Sequence, residues 1–106
     1  MPTPPLPALD PYILDSLMPD LCGHDKRPGA FIVYLALWRL SSPDPARGVR
    51  IPHARLADAT GLSRSTVQHA LAHLAKRQLI STRRAPPPAV PLHTVLRPWA
   101  RRRAIL

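Results

Sequence analysis

Apolar residues recur along this chain in several distinct rhythms, and each rhythm marks a different kind of element. Asp10-Pro11 is an N-cap acid followed by proline at the first helical position, and behind it Leu14, Leu17, Met18 and Leu21 fall on one helical face. A short amphipathic helix is expected here, ended or kinked at Pro19. Its apolar face is covered either by its own domain or by a second copy of the chain, because a pattern shows only that a face is buried. Ala30 to Trp38 is apolar nearly all round, as in a central helix enclosed by neighbours, with Asp25 as the expected cap and an end near Leu40. The run Ser41 to Gly48 has loop composition, and Val49-Arg50-Ile51 alternates like a very short strand.

Pro52 fits the first turn of the next helix, which runs to about Thr60. Gly61 then supplies the left-handed backbone that a sharp helix–helix turn needs, and Ser63 caps a further helix to roughly Arg77. On that helix Val67, Ala70, Leu71, Leu74 and Gln78 share one face, while Arg64, Ser65, Gln68, His69, Ala72 and Lys76 lie mostly on the other. Leu79 to Arg84 and His93 to Arg97 read as paired strands. The segment Ala85 to Leu92 is too rich in proline for a ladder and forms the hairpin tip.

Leu56-Ala57, Gly61-Leu62-Ser63, Thr66-Val67, Ala70-Leu71, Leu74 and Leu79-Ile80, in this order and spacing, resemble the winged helix-turn-helix DNA-binding domains of bacterial transcription regulators. The resemblance covers about residues 49–99. It implies a mainly α fold with a small β-hairpin wing (α+β), here with an extra short N-terminal helix. Two departures stand out: Gln78 occupies the place where glycine often ends the recognition helix, so another C-cap conformation is expected, and the wing tip is unusually rich in proline.

The resemblance implies that the recognition helix enters the major groove and that Arg64, Ser65, Gln68 and His69 meet base edges. Arginine can bond guanine, and glutamine adenine, through two atoms each. Ser63 and Thr66 are set to meet phosphate oxygens. Arg83 and Arg84 lead into the wing, and Lys76, Arg77, Arg97 and Arg101 to Arg103 add phosphate neutralisation.

Charge supports a polyanionic partner. Of the formal charge of +9, none arises in residues 1–58, where six basic residues balance six aspartates. Residues 59–106 carry nine basic residues and no acid.

Other chemistries are poorly supported. His69 and His73 have a metal-compatible spacing, but the chain has no Glu and no recognisable third ligand; Cys22-Gly23-His24 is equally weak. No nucleophile elbow accompanies the serines, so an enzyme is not expected. A lone cysteine excludes an internal disulfide, and no apolar run approaches membrane-helix length. Trp38 and Trp99 are expected to fill the core.

The expected organisation is a proline-rich leader (1–9), a winged helix-turn-helix domain (10–99, with the motif at 52–77 and the wing at 79–98) and a basic tail (100–106). The expected function is sequence-specific binding of double-stranded DNA by a cytoplasmic, nucleoid-associated regulator, with a homodimer through the N-terminal helix as an option. No cofactor, metal, membrane or small-molecule ligand is called for. The rival functions are a protein-interaction winged helix in a larger assembly and a replication or plasmid-maintenance DNA-binding protein.

Overall fold

Three α-helices and a three-stranded antiparallel sheet close around α1 (Pro28–Ser41) in the computed structural model, which describes residues 8–42, 44–84, 86 and 90–100. The proline-rich residues 1–7, residues 85 and 87–89 of the wing tip and Arg101 to Arg103 lie outside the described residues. α1 buries Ala30, Phe31, Val33, Tyr34, Leu37 and Trp38, which explains its nearly all-round apolar sequence. Each such fully buried large apolar side chain is worth about 1.5–3 kcal/mol. Pro28 opens α1 with a preset φ, and Arg27 is the capping residue. Asp25 therefore does not cap this helix. Lys26 takes a left-handed turn (φ 56°), and the Asp25 carboxylate bonds His73 and Arg77 instead.

The N-terminal segment differs from the expected α-helix. It contains two π turns, Ile13–Leu17 and Asp20–His24, and passes through Pro19 without ending. With i→i+5 bonding the winding is wider, so every fourth residue (Ile13, Leu17 and Leu21) lines the buried row. Leu14 and Met18, expected on the apolar face, are exposed. Around Pro19, which has no N–H to donate, the looser winding avoids the break a regular helix would suffer.

Val49–Arg50 forms β1, and the Asp44 carboxylate accepts from Ala46 N–H to cap the turn before it. Gly48 there has φ 75°, and a Cβ on it would stand 2.7 Å from Thr94 Oγ1, so this approach requires glycine. β2 (Ile80–Arg83) and β3 (Leu92–Val95) form the wing, with β3 central in the order β1-β3-β2. Val49 pairs with His93, and Ile80 with Val95. Tyr34 Oη donates to the Leu96 carbonyl at 2.9 Å, and burial pushes its phenol well above the usual range. His93 is buried with Nδ1 on Thr82 Oγ1 and no partner for Nε2 among the described residues. Desolvation first, then the neighbouring His53 and Arg84 charges, holds its imidazole below the ordinary 6.5.

Trp38 and Trp99 are core residues whose indole N–H groups donate to the Ala8 carbonyl and to Asp10, each at 2.9 Å. Cys22 is half-buried against the same core.

Candidate nucleic-acid interface

α2 (His53–Thr60) and α3 (Arg64–Lys76) meet at Gly61, where φ is 77° and a Cβ would touch nothing. Glycine is needed there for backbone conformation, not for space. The Ser63 hydroxyl accepts from Thr66 N–H at 3.0 Å and donates to Thr66 Oγ1 at 2.9 Å, which fixes the start of α3. Val67, Ala70, Leu71 and Leu74 bury one face of α3 against α1 and α2.

The helix ends differently from expectation. Gln78 is exposed, not part of the buried face, and takes the left-handed conformation itself (φ 59°). Gln78 N–H donates to Ala75 O at 3.0 Å and Leu79 N–H to Leu74 O at 2.9 Å, a Schellman cap built without glycine.

The burial of one face leaves Arg64, Ser65, Gln68 and His69 together on the exposed side of the first half of α3, with Ser63 and Thr66 beside them. None of these six meets an acid among the described residues. Lys76 is exposed on the last turn, and Arg83 and Arg84 are exposed where the wing leaves β2. Two other basic residues are placed differently. Arg77 is held by Asp20, and also by Asp25 at 3.4 Å.

Arg97 bonds Asp10 twice, at 2.9 and 2.7 Å, and its guanidinium lies 5.7 Å from the Trp38 ring centre. Trp38 is near the far end of α1 from Gly29, which abuts Thr66, a separation of roughly 13 Å along the helix. Arg97 is thus set apart from the α3 cluster. Arg101 lies outside the described residues.

Acids at the C-terminal end of α3 escaped the sequence pattern. His73 Nε2 donates to Asp25 at 2.7 Å, and His24 Nδ1 to the same carboxylate at 3.2 Å. The bond from His73, with the Arg77 charge, holds the largely buried Asp25 below its usual 3.8 despite the opposing cost of burial. Asp20, His24 and Asp25 bring ligand-type atoms within 4.8 Å of one another, but Arg77 already occupies both carboxylates. Lys26 and Arg27, also not singled out by sequence, border a cleft beside Thr66 and His69.

A glycine-turned helix pair, a capped second helix with a polar exposed face and a hairpin beside it define a winged helix-turn-helix domain, the architecture of DNA-binding transcription regulation. The family model for the Crp-like helix-turn-helix domain matches residues 30–86, over half of the chain, and the protein belongs to that family. That family is one of DNA-binding, typically non-enzymatic domains. No curated protein and no solved structure gives a significant match. Among the described residues no helix is long and apolar enough to cross a membrane.

Proposed function

We propose that this protein binds double-stranded DNA sequence-specifically and regulates transcription, as a cytoplasmic, nucleoid-associated factor with no catalytic role. In this reading α3 lies in the major groove, Arg64, Ser65, Gln68 and His69 read bases, and Ser63, Thr66, Lys76, Arg83 and Arg84 meet phosphates. The observation that carries it is the exposed, acid-free first half of α3. Domains that bind proteins have no need to keep such a face uncompensated, whereas a polyanion is attracted to it.

Titration of the full chain against several duplexes at increasing salt tests the proposal. Affinity is expected to fall roughly a thousandfold between 50 and 200 mM salt if about six phosphates are engaged. Arg84→Ala weakens all duplexes alike and reduces the salt slope by about 1. Absence of binding to every duplex at low salt rejects DNA recognition.

A second reading concerns assembly. Leu14 and Met18 are exposed on one side of the N-terminal segment while Ile13, Leu17 and Leu21 serve the domain's own core. We infer that this leftover apolar strip pairs two copies, so that two recognition helices address half-sites about one DNA turn apart. Light scattering is expected to give a dimer that Leu14→Asp converts to a monomer. A monomeric unaltered chain sinks the idea.

A further inference from the structure

Asp25 and Lys26 are adjacent in sequence, yet their charges serve different neighbours. The Asp25 carboxylate is taken up by His73, His24 and Arg77, and that of Asp20 by Arg77. Lys26 and Arg27 are exposed and keep no acidic partner among the described residues. The even balance of charge in the first half of the sequence thus disappears in the fold. Three of its six aspartates, Asp10, Asp20 and Asp25, pair with Arg97, Arg77 and His73 of the second half, and cations of its own such as Lys26 and Arg27 are left over.

Two of those leftover cations sit against α3. An open cleft of about 300 Å³ separates the 26–29 turn from the helix, with Lys26, Arg27 and Gly29 on one wall and Thr66, His69 and Ala70 on the other. The walls approach closely because Gly29 has no side chain: a Cβ there would stand 3.1 Å from Thr66 Cγ2. No acid lines the cleft. The Thr66 hydroxyl accepts from Ser63 and keeps its own hydrogen to donate.

We propose that this cleft is a second DNA-backbone site, in which Lys26 and Arg27 hold phosphodiesters of the strand flanking α3, with Thr66 completing the cradle. It rests on the reading that α3 enters the major groove. The groove is about 12 Å wide and a helix with side chains about 10–12 Å, so phosphates must pass along the flanks of an inserted helix. The flank carrying Thr66 is the one that faces Lys26 and Arg27. Lysine offers a compact charge and arginine a planar fork, both suited to phosphate oxygens. Contacts of this kind fix register and strength without reading sequence.

The test is a salt titration of the full-length Lys26→Gln/Arg27→Gln protein, and of Arg27→Gln alone, against the same duplexes as the unaltered chain. The double variant is expected to lose about two units of salt slope, the single variant about one, with affinity near 0.1 M salt down roughly tenfold or more on every duplex alike. Arg39→Gln, on the far end of α1, leaves the slope unchanged, and so does the charge-preserving Lys26→Arg. Thermal melting of both variants should match the unaltered chain, since the side chains are exposed. An unchanged slope in a chain that still binds duplex overturns the cleft alone. A changed ratio of affinities between duplexes also overturns it, because the residues would then read bases. Loss of all duplex binding by the unaltered chain overturns this site and its parent reading together.

Discussion

The two ends of α3 carry similar residues and opposite electrostatic lives. At its start Arg64, Gln68 and His69 are exposed and meet no acid among the described residues. At its end His73 and Arg77 are tied to Asp20 and Asp25, residues some fifty positions earlier in the chain. Basic character alone therefore does not mark a contact residue. At the end of the helix His73 and Arg77 anchor the N-terminal segment to the motif while Lys76 stays exposed, and the start of the helix is left without an acidic partner among the described residues. Arg97, tied to Asp10 and stacked on Trp38, belongs with the anchoring group.

The largest effect is expected at the anchored end. Asp25→Ala leaves His73 and Arg77 facing each other without their shared carboxylate and should lower unfolding free energy by about 2–3 kcal/mol in urea titrations. Base preference should not change. If preference moved as much as stability, the division between the two ends would fail. The same carboxylate gives a pH signature. Its acidity is raised in the folded protein, so its stabilisation is full above the ordinary 3.8 and drains away as pH falls through the lower folded value. Asp25→Asn should remove that part of the acid limb from a pH series of melts.

At the open end Arg64→Ala should do the reverse. Discrimination between duplexes drops by about 1–3 kcal/mol, while stability moves by no more than about 0.5 kcal/mol. Competition binding with a one-base-changed duplex measures the first and chemical denaturation the second. Unaltered discrimination would mean that another face of α3 reads the DNA.

The smallest effect lies just beyond the helix. Gln78 bears a left-handed conformation that glycine accepts without strain, so Gln78→Gly should raise stability by about 0.5–1 kcal/mol. A loss of stability would show that the glutamine side chain contributes packing that offsets its strain.

Local rules made much of the fold legible. Gly61, Ser63 and the spacing of Val67, Ala70, Leu71 and Leu74 specify a turn, a cap and a buried face within a few residues, and all three are found in place. The alternation of Val49-Arg50 likewise located a strand. The second wing strand, however, starts at Leu92, expected in the hairpin tip, and ends at Val95, short of Arg97, because Leu92 pairs with both Arg50 and Arg83. Where the reading failed, distance or unusual winding was responsible. The apolar row of the N-terminal segment moved from Leu14 and Met18 to Ile13 because π turns change the period. Asp25 resembled a cap, but its partners lie on a helix that the sequence cannot bring near it.

By itself, the sequence determined the motif, since helix caps, a left-handed turn and a binary pattern act between residues a few positions apart. Only the tertiary structure decided which of its many cations remain available. Charge neutralisation depends on separation in space, and folding brings Asp10, Asp20 and Asp25 onto Arg97, Arg77 and His73 while leaving Lys26 and Arg27 open beside the recognition helix.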